Sequence, residues 1–327
     1  MKVALLHTKD ALEPPVDPVL DDIEGALKSL DHECRRVVVD DDIAPIVAAL
    51  TSEKPELVFN LAESFAGRSA LESNVAALLN LLHLRYTGSS PAGLMLAGDK
   101  TLTKKVLTFH GILTAHFATV FRGNVDWAGD IAFPLILKPP QEDASLGITQ
   151  KSIVNDVQEL LQTISSLQTE YHSPVLAEEF IEGREFYVGV LGNSDAQALP
   201  VMELDFSGYP EGIPKIASWN AKWGEEGDEK GAEFEGTKSV FPTDLSDELT
   251  ERMQKVAIDA FQALRLRDYA RVDLRVNAKE EIYVIEVNPN CYLEKTAEFA
   301  TAAAKSGIEY PALIGRIIEL ASARYSR

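Results

Sequence analysis

Arg271-Val272-Asp273-Leu274-Arg275-Val276-Asn277-Ala278-Lys279-Glu280-Glu281-Ile282-Tyr283-Val284-Ile285-Glu286-Val287-Asn288 is the stretch on which the fold turns. Glu286 follows Asp273 by thirteen residues, and the run Glu281 to Ile285 between them is apolar and rich in β-formers. On a strand, Glu286 and Asn288 point to one face because side chains alternate, and an antiparallel neighbour can lay Asp273 opposite them. Two carboxylates and one amide oxygen then converge. Such a hard-oxygen set suits Mg²⁺ (or Mn²⁺ in its place). Mg²⁺ is usually held by one or two carboxylates plus substrate phosphates, so the pattern points to a phosphate-bearing cosubstrate. Arg271 shares the face of Asp273 and can meet developing negative charge. Taken alone, the same alternation also fits a solvated hairpin edge.

Working outward, the 327 residues are enough for two or three domains, and 46% hydrophobic with 25% charged residues is ordinary for a folded globular chain. Fifty-one acidic against thirty-one basic residues leave a net charge of −20, a field that repels nucleic acid and anionic membrane. An anionic nucleotide must therefore be drawn in by local lysines and metal. Cys34 and Cys291 are too few for a disulfide framework or a zinc site, which fits a reduced cytoplasm. The apolar run at Val3 to Leu6 is too short for a secretion signal, and no stretch approaches membrane-spanning length. The expectation is a cytoplasmic protein.

The chain reads as three units. In residues 1–95, strands at Lys2 to His7, Cys34 to Val39 and Glu56 to Asn60 alternate with helices at Asp17 to Leu30 and Ile43 to Leu50. That alternation predicts βαβ units and a doubly wound α/β domain. The first strand-to-helix connection has no glycine before Gly25, so a dinucleotide fingerprint is absent. Residues 96–174 predict a small α+β unit: a helix capped by Asp99, a strand at Phe117 to Val120, a buried strand ending in Leu137-Lys138, and a helix over Val154 to Leu167. Residues 175–327 read as an antiparallel, β-rich unit that opens with a strand over Pro174 to Ile181 and ends in a helix over Ala312 to Arg324. The whole is α/β in its first domain and α+β overall.

Lys100 and Lys138 are candidates for phosphate contact. Lys138 ends an apolar strand and precedes Asp143-Ala144-Ser145-Leu146-Gly147, whose small residues would let backbone N–H groups close over phosphate. Gly93 to Thr101 approaches a P-loop, but Asp99 stands between Gly98 and Lys100 and reads as a helix cap. Glu178 and Glu185 flank the turn Glu182-Gly183-Arg184, where exposed backbone suits an adenine edge and a carboxylate can accept from ribose hydroxyls. Ordinary surface glutamates fit both positions as well. Lys222 lies between Trp219 and Trp223, and the acidic, glycine-rich Gly224 to Gly236 after it has the composition of a mobile cover or a solvated connector.

Tyr86-Thr87-Gly88-Ser89, Asp99-Lys100, Leu137-Lys138-Pro139, Glu178 with Glu185, Ala221-Lys222, Arg271-Val272-Asp273 and Glu286-Val287-Asn288 stand in an order that resembles D-alanine:D-alanine ligase and related ATP-grasp carboxylate–amine ligases. The resemblance runs through nearly the whole chain. It implies a three-domain ATP-grasp architecture with ATP held between the central and C-terminal units. The implied chemistry is phosphoryl transfer from ATP to a carboxylate, then attack of an amine on the acyl phosphate. By residue, it implies Lys100, Lys138 and Ser145 of the central loop near phosphates, Glu178 at adenine, the backbone of Glu179 and Ile181 as hinge, and Glu185 at ribose. Lys222 would reach the γ-phosphate, Asp273, Glu286 and Asn288 would hold the metal, and Arg271 would stabilise the tetrahedral oxyanion. The partners implied are small-molecule carboxylate and amine substrates, and the resemblance favours a homodimer.

The match thins at the substrate positions. Dipeptide-forming ligases carry an acidic, serine-containing signature where this chain reads Thr8-Lys9-Asp10-Ala11-Leu12-Glu13-Pro14-Pro15. Paired serines of their central loop are replaced by Ala144-Ser145, the tyrosine of their covering loop by Trp223, and their course after the metal ligands by Pro289-Asn290-Cys291-Tyr292-Leu293-Glu294-Lys295. Asn290, Glu294 and Lys295 are thus candidates for a different substrate pocket, joined by Glu63, Arg68 and Glu72 after the third strand. Arg68 with Glu72 also fits a plain i,i+4 helix pair, and Cys291, with no activating histidine in view, reads as a packed thiol. The resulting expectation is an ATP- and Mg²⁺-dependent ligase acting on an amino-acid-like carboxylate; a true D-alanine:D-alanine ligase and a non-catalytic ATP-binding regulator are the alternatives.

Overall fold

A computed structural model describes residues 1–9, 16–127, 130–142, 145–172, 174–209, 212–219, 221 and 236–325. Lys222, Trp223 and all but the last residue of the expected cover at 224–236 lie outside the described residues, as does most of the segment after the first strand.

The first unit is built as its alternation dictates. Strands β1 (Lys2–Thr8), β2 (Glu33–Val39) and β3 (Leu57–Leu61) form a parallel sheet in the order β2-β1-β3. Helix α1 (Pro18–Ser29) starts where the Asp17 carboxylate accepts the Val19 N–H at 2.9 Å, with proline at its first position. Along β1 the side chains divide by parity. Val3 and Leu5 pack with Leu20, Ile23 and Leu27 of α1, whereas Ala4 and Leu6 pack with Ile46 of α2 (Ile43–Ser52) and Val75 and Leu79 of α3 (Glu72–Leu81). Helices therefore cover both faces of the sheet, which is why β1 is buried from Val3 to His7.

Helices α4 (Pro91–Ala97) and α5 (Lys100–Phe109) lead into the central unit, and Asp99 caps α5 by accepting from Leu102 N–H at 3.0 Å. Strands β4 (Phe117–Phe121), β5 (Asn124–Trp127), β6 (Leu135–Lys138), β7 (Ile153–Val154) and, beyond helix α6 (Val157–Glu170), β8 (Val175–Glu179) form an antiparallel sheet ordered β5-β4-β8-β6-β7. One expectation is corrected here. The strand over Pro174 to Ile181 does not open the third unit, because β8 lies between β4 and β6 in the central sheet. The change of sheet falls in the turn after Glu179.

The third sheet contains β9 (Arg184–Gly192), β10 (Gln197–Ala198), β11 (Met202–Asp205), β12 (Lys238–Val240), β13 (Asp268–Val276) and β14 (Ile282–Asn288), with β13 between β9 and β14. Helix α7 (Asp247–Ala263) packs Met253, Ala257 and Phe261 on one face of this sheet. On the other face, Phe299 of α8 (Glu298–Lys305) and Leu313 and Ile317 of α9 (Tyr310–Arg324) join a core that also includes α1 and β3. The chain's last helix thus welds the C-terminal sheet to the first unit. Arg324 completes the weld by pairing with Asp268, at the start of β13, and donating to the Tyr86 carbonyl at 2.9 Å. No helix among the described residues is long and apolar enough to cross a membrane.

Candidate functional site

Between the central and C-terminal sheets lies a cleft of roughly 640 Å³. Lys100, Lys138, Ser145, Glu178, Glu179, Ile181, Glu185, Asp273 and Glu286, nine of the positions expected to serve nucleotide or metal, all line it. Their convergence follows from the topology: Lys138 ends β6, Glu178 and Glu179 end β8, Glu185 begins β9, and the metal candidates sit on β13 and β14.

Register on the hairpin matches the parity argument. Asp273 is the Cα partner of Glu286 and Arg271 that of Asn288, with a bulge between Asp273 and Leu274 that leaves Ile285 without an opposite residue. Asp273 is nearly buried and accepts from Arg271 at 2.8 and 2.9 Å and from the Asn288 amide nitrogen at 3.2 Å. Glu286 pairs with Lys100 at 2.6 Å. Among the described residues no three His, Cys, Asp or Glu side chains cluster for a metal. The hairpin's two carboxylates still fit a hard cation, with phosphate oxygens or Asn288 completing the set. Oxygen ligation by Asn288 calls for its amide to turn about χ2, a soft torsion.

Arg271 is not a free cation at the reacting centre. Its guanidinium grips Asp273, reaches Glu298 at 3.5 Å and stacks 4.6 Å above the Tyr187 ring. Burial works against its charge, but Asp273 and Glu298 outweigh it, holding the guanidinium charged.

Glu178, expected at an adenine edge, commits its carboxylate to two lysines. One oxygen pairs with Lys138 and the other with Lys104 at 2.5 Å, and all three residues are buried. Burial alone would raise the Glu178 pKa, yet the two ammonium groups draw it down to about 2. What this part of the chain offers a base is backbone: β8 ends at Glu179, β9 begins at Arg184, and Glu179, Phe180 and Ile181 line the cleft between them. Gly183 makes that turn possible, because a Cβ there would lie 2.0 Å from the Val276 carbonyl oxygen.

Glu185 keeps its place, 3% exposed, with one oxygen held by Arg275 at 2.7 Å and the other accepting from Tyr187 at 3.2 Å. Arg275 also donates to the Gly183 and Lys215 carbonyls at 3.2 and 2.8 Å, so it ties the hinge turn, Glu185 and β13 together. Sequence reasoning missed both Arg275 and Lys104. Each had a signal: Arg275 continues the 271, 273 alternation, and Lys104 lies four residues after Lys100 on a capped helix.

The loop after β6 reaches across the cleft. Ser145 donates to the Ala217 carbonyl at 2.7 Å, and Trp219 N–H donates to Ile148 at 3.0 Å. Gly147 takes φ +76°, and a Cβ there would meet the Pro139 ring at 2.7 Å.

The expected substrate residues do not gather in this cleft. Glu63 and Asn290 line a second pocket of roughly 370 Å³ between β1, the start of α1 and residues 290–293. Asn290 accepts from Tyr269 at 2.8 Å and donates to Glu72 at 3.2 Å and Ala62 at 3.4 Å, a structural lock between the first and third units. Glu294 lines neither pocket; its carboxylate accepts from Thr296 N–H and hydroxyl at 2.8 and 2.7 Å, just before α8. Lys295 donates its N–H to Asp22 at 3.2 Å, and Arg68 is exposed and lines neither pocket. Cys291 is 5% exposed, and burial pushes its thiol up to about 12, the state of a packed thiol.

The chain is similar to known proteins over most of its length. The family described as D-ala D-ala ligase C-terminus matches residues 108–319. A protein named y4sG from Sinorhizobium fredii is 30% identical over 316 residues, spanning 95% of this chain and 89% of its own. The D-alanine--D-alanine ligase of Desulfotalea psychrophila is 32% identical over 253 residues, spanning 76% and 74%. In fold, the chain is similar to the D-alanine--D-alanine ligase of Bacillus anthracis solved with ATP, with TM-score 0.75 and 21% identity over 99% of this chain and 98% of that one.

Proposed function

We propose, for a chain that belongs to the D-ala D-ala ligase family and is an ATP-dependent, ADP-forming carboxylate–amine ligase, that it joins a small amino-acid-like acid to an amine through an acyl phosphate. The observation that carries this reading is the convergence of Lys100, Lys138, Glu185, Asp273 and Glu286 on one cleft.

In this reading the Glu179 to Ile181 backbone meets the base, Glu185 accepts from ribose, and Lys100 and Lys138 lie along the phosphates. Lys222, outside the described residues, keeps the γ-phosphate role that the resemblance implies. Asp273, Glu286 and Asn288 would hold a divalent ion, which neutralises phosphate charge when bound. The substrate carboxylate attacks the γ-phosphorus and ADP departs. The amine then adds to the acyl carbon, Arg271 stabilises the oxyanion, and inorganic phosphate leaves as the amide forms. The loop at 145–148 and its contacts to 217–219 exclude water, which would hydrolyse the acyl phosphate.

The names of the relatives favour a second reading, the joining of two D-alanines. Against it stand the departures at residues 8–15 and 289–295. A regulator that merely binds ATP needs no oxyanion partner, and Arg271 is present. The test is ADP release with ATP, Mg²⁺ and pooled amino acids and small acids, with D-alanine alone as a separate arm. Release that depends on one pool and is lost in Glu286→Gln supports the ligase reading. ATP binding without release from any pool overturns it, and release with D-alanine alone at a rate no pool exceeds selects the second reading.

A further inference from the structure

The second pocket contains a buried histidine that the nucleotide chemistry does not use. His7 follows Val3 and Leu5 in the same row of β1 and is 1% exposed. Its Nδ1 lies 2.8 Å from the carbonyl oxygen of Thr8, and a carbonyl can only accept, so Nδ1 carries the proton. In the neutral ring Nε2 is then a bare lone pair. That atom is buried and has no hydrogen-bond partner among the described residues, a costly state for a polar atom. Burial also lowers the His7 pKa, which keeps the ring neutral and the lone pair available.

The rest of the pocket asks for the same kind of ligand. Glu63 and Asp17 supply carboxylates, and no lysine or arginine is among its described lining residues. Asp17 already caps α1 and accepts from Tyr292 at 2.7 Å, so the helix end is not left as an anion site. Both polar atoms of Asn290 serve the inter-unit lock. The pocket therefore offers acceptors, and its natural occupant is a donor-rich cation. It lies next to the catalytic hairpin, since Asn290 follows Asn288 by two residues.

We propose that His7 is a specificity-determining residue: its Nε2 accepts a hydrogen bond from the ammonium group of an amino-acid substrate seated in this pocket, with Glu63 balancing the charge. This rests on the ligase reading. It makes the site selective for amino acids over the 2-hydroxy acids of the same shape, because a hydroxyl donates one hydrogen and carries no charge for Glu63 to meet.

The test measures ADP release by the full chain with ATP and Mg²⁺ across amino acids, each matched to its 2-hydroxy analogue, alanine with lactate among them. Wild type should prefer the amino member of its best pair. His7→Ala should lower kcat/KM for that member about 10-fold or more, mostly through KM, and leave its hydroxy partner nearly unchanged. His7→Gln, whose side-chain oxygen can replace the acceptor, should recover part of the preference. ATP affinity, measured by calorimetry, should be the same in all three proteins, which shows that the variants are folded. If His7→Ala keeps the preference, or lowers both members equally, the role of His7 is refuted while the ligase reading stands. If wild type releases ADP with no member of any pair, both fall together.

Discussion

Lys104 Nζ lies 2.5 Å from a Glu178 carboxylate oxygen, and each side chain is only 2% exposed. A charge so placed is tolerable only while its partner remains, and Glu178 shares itself between Lys104 and Lys138. The group thus holds Lys138 and Glu178, which line the cleft, through a lysine buried behind them.

Lys104→Met should therefore destabilise the fold by about 3–5 kcal/mol at pH 7, read by urea denaturation. The pH dependence gives a sharper sign. Glu178 is held at about 2 in the folded protein against 4.5 ordinarily, so its stabilisation is fully present above pH 4.5 and is lost as pH falls toward 2. Removing one ammonium raises the folded pKa and should flatten the loss between pH 4.5 and 2. Parallel profiles for wild type and variant would show that Lys104 does not hold the carboxylate ionised.

Arg275→Met should weaken ATP binding about 10-fold or more, because Glu185 loses the guanidinium that holds it 2.7 Å away and the Gly183 turn loses a donor. Arg275→Lys should recover little, since one ammonium cannot reach Glu185, Gly183 and Lys215 as the fork does. Calorimetric titration with ATP separates this from a change in turnover.

Gly147→Ala places a Cβ 2.7 Å from Pro139 at a backbone angle that side chains disfavour, so the loop carrying Ser145 must shift from Ala217. The expected result is a raised KM for ATP together with more ADP formed per amide made, as water reaches the acyl phosphate. Tight coupling of ADP to product in the variant would show that this loop is not the barrier to water.

Asn290→Ala should cost about 1–3 kcal/mol of stability by removing the bonds it makes to Tyr269, Glu72 and the Ala62 carbonyl, with little effect on ATP affinity. A large loss of ATP binding with unchanged stability would return Asn290 to the active cleft.

Much of this arrangement is legible in the chain. Parity on β13 and β14 placed Asp273 opposite Glu286 because the strands pair one to one from Arg271 to Asp273, just short of the bulge, and the βαβ alternation of the first unit follows from continuous apolar strands. Legibility failed where a feature depends on a neighbour distant in sequence. β8 reads like a lead-in to β9, yet it pairs with β4 and β6, a choice made by tertiary contact and not by the strand's own residues. Glu178 looks like a surface glutamate until Lys104, 74 positions earlier, is seen against it. The same holds for His7, whose tautomer is set by the Thr8 carbonyl and whose purpose is set by residues 290–293.

The central claim is that a carboxylate is activated by phosphoryl transfer before the amine attacks. It is tested most directly with an acid substrate labelled with ¹⁸O in its carboxylate, identified from the pools above, followed by mass analysis of the inorganic phosphate released. The mechanism moves one carboxylate oxygen onto phosphorus and leaves it there when the amide forms, so the phosphate should carry one ¹⁸O per turnover. Phosphate without label, formed at the same rate as the amide, would contradict the account.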